Sequence, residues 1–322
     1  MAGRQVFRMV LTILKSNMQY VAAVGTAGLY VAVIYPHQWG LKRYMQVLQM
    51  YENGEPLSVD ADCKRIGQEI LDKVRWDPVS EANVEFFSAY GQDIVHRGST
   101  FTKPGGIIGI PINFMYRSVD DIDKEKITIN NKPIDWNTPA GRSLQESLVL
   151  SEKARKFAIA RELFYLHTHH VHLRGLFVGG SAFIAYWLGF AVNRLNRLPQ
   201  RTTLPARIIL YGFFTGIGAI VYCLASDTYS WYRDRKVDRQ AGKLGKEYTE
   251  GGAEFYTKLL ERNIALRTLM GPDGPRRYTA YGNDVHYWRS PSVPLTSRRD
   301  MLVELGKQQN CSSSTTPAAE PA

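Results

Sequence analysis

The sequence has few cysteines, and their spacing does not suggest that they act together. Cys63, Cys223 and Cys311 are the three cysteines among 322 residues, and none stands in a C-x-x-C motif. Such spacing predicts neither a disulfide framework nor a zinc knuckle. The sequence also lacks the G-x-S-x-G motif, the phosphate-binding G-x-x-x-x-G-K-[ST] motif and a cysteine–histidine nucleophile pattern. These absences argue against the common hydrolase and nucleotide-binding classes, and no cofactor is predicted.

Acidic residues are missing from two stretches, residues 1–35 and 173–226. These stretches hold three and five basic residues, which account for eight of the ten net positive charges. Residues 36–172, by contrast, contain 17 basic and 18 acidic residues. A nucleic-acid-binding protein collects its basic residues on one folded face, whereas here they flank apolar runs. The charge pattern therefore indicates membrane topology, and no nucleic-acid partner is predicted.

Two long apolar runs, Gly175–Val192 and Ile208–Ser226, contain no charged residue. Each approaches the ~20 apolar residues that cross a bilayer core of ~30 Å. The connector between them is basic, with Arg194, Arg197, Arg201 and Arg207. We therefore predict a transmembrane hairpin at 173–226 in a lipid bilayer. A pair of buried core helices is the alternative, because tyrosine, tryptophan, serine and threonine lower the hydropathy of both runs.

Small residues recur within the predicted hairpin at helical spacing. Gly179 and Gly180 lie in the first run, and Gly212 and Gly216 form a G-x-x-x-G motif in the second. Such spacing lets helix backbones approach closely in lipid. We predict that these four glycines pack against partner helices. A carrier or channel is disfavoured, because neither run contains an ionisable residue that would mark a pathway.

The N-terminal region combines a basic segment with a third apolar run. Residues 1–17 have apolar residues at helical spacing and no acid, a composition that suits a mitochondrial targeting helix. The uncharged run 18–35 follows directly and predicts a further span; a cleaved signal peptide is the rival interpretation. Three spans would place the N-terminus and the 193–207 loop on one side of the membrane. Residues 36–172 and 227–322 would lie on the other.

The remaining residues predict soluble, mostly helical structure. Residues 36–172 are expected to form an α+β region, with a strand within 105–116 and a helix that begins at Thr138-Pro139. Residues 227–270 predict a charged helix that ends at Gly251-Gly252 and then an amphipathic helix. Residues 271–322 predict a loop-rich region with a disordered tail. The predicted fold class is a mainly α membrane protein with a two-span hairpin, an N-terminal span and a helical soluble domain containing a small β region.

Four histidines cluster just before the hairpin, at His167, His169, His170 and His172. On one continuous helix, 167 with 170 and 169 with 172 would be i, i+3 pairs, which makes metal binding geometrically possible. The alternative is a polar collar where a helix meets the headgroup layer. No carboxylate or cysteine is close enough in sequence to complete a typical site. We therefore assign no metal ligands.

A second pattern resembles the layout of a membrane-embedded zinc protease that lacks the zinc-ligating histidines. Such proteases carry H-E-x-x-H before a two-span hairpin and a carboxylate ligand after it, whereas this chain has Arg161, Glu162 and Tyr165 before its hairpin and Asp234 and Asp238 after it. Zinc needs neutral imidazoles at the two histidine positions, and arginine stays protonated. Glu162 would then have no metal-bound water to activate. We predict a non-catalytic protein. The alternative is a zinc metalloprotease that uses Glu162 and the His167–His172 cluster.

Several short motifs on both sides of the hairpin resemble one known family. They span residues 105–300 in order and comprise Gly109-Ile110-Pro111, Ile134-Asp135-Trp136, Thr138-Pro139-Ala140-Gly141, Lys156–Glu162, Gly251-Gly252 with Glu254-Phe255-Tyr256, Asn263–Arg267, Tyr278-Thr279 and Arg298-Arg299-Asp300. The chain resembles the transmembrane protein 177 family of the mitochondrial inner membrane. The resemblance implies a multi-pass accessory factor for cytochrome c oxidase biogenesis. It implies as partners newly made cytochrome c oxidase subunit 2 and the dedicated membrane chaperone of that subunit.

Overall fold

The computed structural model describes residues 18–197 and 203–314. The basic segment 1–17, Arg201 and the end of the predicted tail lie outside the described residues. Within them the chain is mainly helical with three small β sheets, as the sequence predicts. The fold divides into two compact units. Of the described residues, the first contains 18–40 and those within His169–Tyr229, and the second contains Leu41–Thr168 and 230–314.

Long apolar helices build the first unit. Helix α1 spans Met18–Gln38, α7 spans His170–Leu195, and α8 spans Leu204–Gly242, whose second part continues into the other unit. Among the described residues, α7 and α8 are the helices long and apolar enough to cross a membrane. The two runs are therefore confirmed as long apolar helices. Residues 18–35 are confirmed as helical, and their role as a span stays a prediction.

Glycines on α7 allow its neighbours to approach closely. A Cβ atom at Gly175 would lie 2.7 Å from the ring of Tyr30 on α1. A Cβ atom at Gly189 would lie 2.7 Å from the ring of Tyr211 on α8. These contacts are closer than real Cβ atoms make, so larger residues would push the helices apart. The small residues of this helix therefore set its packing distance.

A three-stranded sheet lies at the centre of the second unit. Strand β3 (Val84–Ala89) pairs in parallel with β5 (Gly106–Pro111), and β4 (Val95–Gly98) pairs antiparallel with the other edge of β5. Every residue of β5 is buried, which explains its unbroken apolar sequence. Two small hairpins are peripheral: β1 (Tyr51–Glu52) with β2 (Glu55–Pro56), and β6 (Thr128–Ile129) with β7 (Lys132–Pro133).

Helices pack with this sheet around one main hydrophobic core and three smaller clusters. They are α2 (Leu41–Leu48), α3 (Ala61–Val74), α4 (Pro78–Ala82), α5 (Pro139–Leu148), α6 (Glu152–Leu166), α9 (Lys246–Leu269), α10 (Gly274–Arg277) and α11 (Leu295–Ser314). Short 3₁₀ turns lie at Ile112–Phe114, Val119–Asp121 and Gly271–Asp273. Thr138 and Ser151 cap α5 and α6, since their hydroxyls accept hydrogen bonds from the backbone N–H groups of Gly141 and Ala154. Helix α6 is buried almost throughout and is the central helix of the core.

The break between the helices that follow the hairpin is not where the sequence predicts it. Helix α8 ends at Gly242 and α9 begins at Lys246, so Gly251 and Gly252 lie inside α9. A Cβ atom at Gly251 would collide with the backbone carbonyl oxygen of Lys153. A Cβ atom at Gly252 would lie 2.7 Å from the ring of Phe157. These two glycines allow α9 to pack closely on α6, and they do not end a helix.

The predicted loop-rich region 271–322 also differs from the structure. Helix α11 occupies Leu295–Ser314, within that region. Leu302 on α11 is fully buried in the main core, and a Cβ atom at Gly252 would lie 2.7 Å from its side chain. Packing against α9 therefore stabilises a helix whose composition is mostly polar, because tertiary contacts contribute more to helix stability than intrinsic propensity does.

Candidate functional site

The five residues at the protease-like positions lie together in the interior of the second unit. Helix α6 carries Arg161, Glu162 and Tyr165, and α8 carries Asp234 and Asp238. All five are buried, with Asp238 completely excluded from solvent. Residues four apart lie on the same face of a helix, so Arg161 and Tyr165 share one face and the two aspartates share another. The structure therefore brings the predicted positions into one buried polar network.

Glu162 is held by two partners from different parts of the chain. Its Oε1 atom accepts a hydrogen bond from Nε of Arg161 at 2.7 Å, and its Oε2 atom bonds to Nδ1 of His96 on β4. Burial raises the pKa of Glu162, but the neighbouring Arg161 guanidinium and the hydrogen bond to His96 outweigh it and lower the pKa to about 2. Glu162 is thus a buried carboxylate with both oxygens engaged.

His96 completes this half of the network as a neutral donor. Burial lowers its pKa below the usual value, despite the opposing effect of Glu162. The ring is therefore neutral, and since Glu162 is ionised, the Nδ1–H group donates the bond between them. The imidazole also stacks on the ring of Tyr165, with centroids 4.7 Å apart.

Asp238 forms the other half of the network with Arg298 of α11. The guanidinium donates from Nε to Oδ2 at 2.6 Å and from Nη2 to Oδ1 at 2.7 Å, which is a bidentate pair. The hydroxyl of Tyr256 on α9 donates to the same Oδ1 at 2.7 Å. Nη1 of Arg161 lies 3.3 Å from the Tyr256 hydroxyl and so links the two halves.

Tyr165 and Asp234 close the network around the same guanidinium. Burial raises the pKa of Tyr165, which keeps its hydroxyl protonated, and this hydroxyl donates to Oδ1 of Asp234 at 2.7 Å. Nη2 of Arg298 donates to the Tyr165 oxygen at 2.9 Å, and Nη1 lies 3.8 Å from Oδ2 of Asp234. The cation between Tyr165 and the two aspartates is therefore an arginine side chain.

This arrangement suits a fixed structural network better than an active site. The three carboxylates of Glu162, Asp234 and Asp238 face the guanidinium groups of Arg161 and Arg298, and Arg233 lies 3.9 Å from Asp234. Within residues 18–197 and 203–314, no group of three or more His, Cys, Asp or Glu side chains is placed to hold a metal ion. What the network can do chemically is fix α6, α8, α9, α11 and β4 in one arrangement.

Three members of the network were not predicted as site residues. His96, Tyr256 and Arg298 reach it from β4, α9 and α11, between 18 and 133 residues away from their partners in the chain. Tyr256 and Arg298 do occur in the motifs that carry the family resemblance. His96 has no sequence signal, because its partner Glu162 is 66 residues away.

The histidine cluster does not form one group. The predicted helix through to His172 is interrupted, because α6 ends at Leu166 and α7 begins at His170. In the second unit His167 stacks on Trp76, with centroids 4.3 Å apart, and its Nδ1 lies 3.0 Å from the Thr100 hydroxyl.

The other histidines of the cluster belong to the first unit and have different neighbours. The buried rings of His170 and His37 meet edge to face at 6.0 Å, and Nδ1 of His172 lies 3.2 Å from the Tyr30 hydroxyl. His169 is the residue that precedes α7. The continuous helix on which the i, i+3 pairs were predicted is therefore interrupted at 167–169.

The predicted packing glycines of the hairpin fall into two classes. A Cβ atom at Gly179 would make an ordinary contact with Thr26 of α1, 3.5 Å away. Cβ atoms at Gly180, Gly212 and Gly216 would meet nothing within 4 Å. These three backbone surfaces are therefore open within the part of the chain that the structure describes. We refer to Gly212 and Gly216 of α8 as the open glycine face.

Comparison with known proteins shows one consistent similarity. The model of the family described as transmembrane protein 177 matches residues 59–313. The chain is 33% identical to transmembrane protein 177 of Danio rerio over 295 residues, which cover 89% of this chain and 93% of the relative. It is 32% identical to the Xenopus laevis protein of that name, covering 87% of this chain and 91% of the relative. It is 30% identical to the Homo sapiens protein, covering 87% and 89%. No solved structure matches.

Proposed function

The chain belongs to the transmembrane protein 177 family, and from this premise we propose that it is a non-catalytic assembly factor of the mitochondrial inner membrane. In this proposal it spans the membrane with α7 and α8, and with α1 as a third span. It holds newly made cytochrome c oxidase subunit 2 together with the membrane chaperone of that subunit, and so supports assembly of the oxidase. The partners and the location come from the family resemblance.

The exposure of the apolar helices supports their placement in a membrane. Only 28% of the most apolar stretch of α7 and 6% of that of α8 is buried within the molecule. A core helix of a soluble protein would be mostly buried, whereas Ile209, Phe213 and Leu224 of α8 all point outward. In water this surface would be costly, but in lipid it is the expected state.

The open glycine face is the observation that carries the proposed role. Gly212 and Gly216 lie one helical turn apart on α8 and expose backbone that nothing in the described residues covers. Helices associate in lipid through such small-residue surfaces, because close backbone contact replaces the hydrophobic driving force that lipid removes. A partner with a transmembrane helix, as the proposed client has, is the ligand that this surface suits.

The buried polar network supports a role without catalysis. Catalysis by the zinc-protease route requires a metal-bound water next to Glu162. Both Glu162 oxygens are instead bonded to Arg161 and His96, and the cation beside Asp238 is Arg298. Stoichiometric zinc in the purified protein would contradict this part of the proposal and favour the metalloprotease alternative.

The decisive experiment replaces the open glycine face and measures client capture. Mitochondrial translation products are pulse-labelled, and the protein is isolated in mild detergent from cells that carry the G212L/G216L variant. We expect the variant to accumulate normally, since a Cβ atom at either position meets nothing within 4 Å in the described residues. We expect it to retain much less labelled oxidase subunit 2.

The matched control is I220L. It changes an exposed residue of the same helix and leaves both glycines in place. It should capture the client as the unchanged protein does. Equal capture by G212L/G216L and the unchanged protein would remove the glycine face from the mechanism. Absence of labelled subunit 2 from the unchanged protein would contradict the proposed client.

A further inference from the structure

One segment of the second unit exposes aromatic side chains to an unusual degree. In the segment 281–290, the side chains of Tyr281, Tyr287 and Trp288 are 76%, 74% and 98% exposed. A tryptophan is rarely left so open in a folded protein, because its ring has the largest apolar surface of any side chain. We call residues 281–290 the aromatic loop.

The aromatic loop is held firmly at its base, so its exposure is not that of a loose segment. The N–H of Thr279 donates to the carbonyl of Asn283 at 2.8 Å, and the Asn263 amide of α9 donates to the carbonyl of Gly282 at 2.8 Å. Gly282 has a φ of +81°, which glycine adopts without strain. The Asn283 side chain in turn bonds Thr296 of α11 at 3.1 Å.

At its other end the aromatic loop is bonded to the helix that carries the second apolar run. Nε1 of Trp231 on α8 donates to the carbonyl of Ser290 at 2.8 Å. Trp231 lies five residues after Ser226, where the uncharged run ends. Five residues of α-helix rise about 7.5 Å, and the headgroup layer of a bilayer extends about 5 to 7 Å beyond its hydrocarbon core. With α8 as a span, Trp231 lies at the outer part of the headgroup layer.

The tether places the most exposed aromatic residue at the same depth. Trp288 is two residues from Ser290, and two residues of chain reach at most about 7 Å. The Trp288 backbone therefore lies within about 7 Å of Ser290, which is bonded to Trp231 of α8. Tryptophan and tyrosine are enriched at this level in membrane proteins, since their rings are apolar and their N–H or O–H groups are polar.

Basic side chains stand over the aromatic rings of the neighbouring helix surface. The Arg235 guanidinium lies 5.6 Å from the centre of the Trp231 ring, and the Lys236 ammonium lies 5.8 Å from that of the exposed Tyr232. At this level such cations can meet lipid phosphates beside the aromatic rings. The surface therefore combines both features of an interfacial contact.

We propose that the aromatic loop is an interfacial membrane anchor, which inserts Tyr287 and Trp288 into the headgroup layer beside the end of α8. This inference rests on the proposed membrane span of α8. It adds a second lipid contact beside the end of the proposed span. The occupant of this surface is lipid, because the tether to α8 sets the depth of the loop whatever protein partner is present.

The test measures the depth of single fluorescent labels in the full chain. Cys223 and Cys311 are replaced by serine, and the fully buried Cys63 is kept. An environment-sensitive dye is attached to W288C, and to Y287C as a second position, in phosphatidylcholine vesicles free of other proteins. Some vesicles contain phosphatidylcholine with a doxyl quencher near the headgroup, and others have the quencher deep in the acyl chain.

Two further labelled variants serve as references. Y90C changes a residue that is 79% exposed in the same unit but distant in sequence from the loop and α8, and F213C changes an exposed residue within the apolar run. We expect a blue shift and strong quenching by the shallow quencher at 288 and 287. We expect strong quenching by the deep quencher at 213 and no quenching at 90.

The outcomes separate this inference from the proposed function. Deep quenching at 213 with labels at 287 and 288 that behave like the label at 90 would overturn the lipid anchor and leave the hairpin intact. The loop would then be a surface for a protein partner. If the label at 213 is also unquenched, α8 is not a span, and the proposed function and the anchor are both refuted.

Discussion

Replacement of Arg298 by methionine should strongly destabilise the second unit. The R298M variant removes two hydrogen bonds to Asp238 and one to Tyr165. Asp238 is completely buried and would retain only the bond from Tyr256. Breaking a buried ion pair by removing one partner costs about 3–5 kcal/mol, because an uncompensated charge remains in the interior. We expect the free energy of unfolding to fall by an amount in this range.

A second variant separates the cost of leaving the Asp238 charge buried without a partner, which we call the stranded charge, from the cost of lost packing. If the stranded charge dominates, D238N combined with R298M should be less destabilised than the sum of the two single variants. Contacting members of one network show such coupling energies of about 0.5–3 kcal/mol. The matched control is R299M, the next residue along α11, whose guanidinium bonds the exposed carboxylate of Asp300. It should change stability by no more than about 0.5 kcal/mol.

The assay is urea unfolding of the full chain in detergent micelles, followed by tryptophan fluorescence. Trp76 reports on the second unit, because its ring stacks on His167 and packs against the main core. Stability changes appear as shifts of the midpoint at constant slope. If the urea midpoint of R298M differs from that of the unchanged protein by no more than the midpoint of R299M does, the Arg298 guanidinium does not neutralise the network. Additive single and double variants would refute the stranded-charge explanation.

Two more predictions use the same assay. G251A should lower the free energy of unfolding by about 1–3 kcal/mol or more, because its Cβ atom collides with the Lys153 backbone. The control is G180A, whose Cβ atom meets nothing within 4 Å. Equal urea midpoints for the two variants would contradict the close packing at Gly251. Stability should fall as pH drops below about 6.5, because His96 has a lowered pKa and the unfolded chain binds its proton first. Below about 4.5, Glu162 adds a second loss that continues towards pH 2. H96Q should remove the first decline, and an unchanged pH profile would contradict the neutral assignment.

Local signals in the sequence were sufficient to predict the helices of the hairpin and several element boundaries. Uncharged apolar runs predict long helices, because their length and composition alone are informative. Thr138 accepts a hydrogen bond as the cap of the helix predicted to begin there. Each of these features depends on neighbours within four residues.

Features that depend on distant contacts were not predictable. Helix α11 follows a loop and has a mostly polar composition, and its buried Leu302 packs only when α9 is present. Gly251 and Gly252 have the composition of a helix end, but the structure uses them for contact with α6. The parallel pairing of β3 with β5 likewise joins strands separated by β4 in the chain, and no short-range pattern specifies it.

The candidate site shows the same division between local and distant information. The five protease-like positions are predictable as a set. Residues four apart lie on the same face of a helix, and the zinc-protease pattern places one such pair before the hairpin and the other after it. The role of these five residues in the structure depends on Arg298, which follows Asp238 by 60 residues, and on His96, which precedes Glu162 by 66. The sequence indicated that a metal would lack ligands at these positions. It could not indicate that a guanidinium lies between the aspartates.

The identity of that cation bears on where function resides. A metal ion can bind, leave and activate water, whereas a guanidinium is permanently charged and covalently attached. That of Arg298 already makes three hydrogen bonds within the network. A network built on Arg298 therefore holds helices together and offers no open coordination position for a metal ion. In the function that we propose, client recognition therefore uses outer surfaces, and the open glycine face is uncovered within the described residues. Variants that abolish oxidase assembly without unfolding the protein should thus map to such surfaces, and variants in the network should act only through loss of stability.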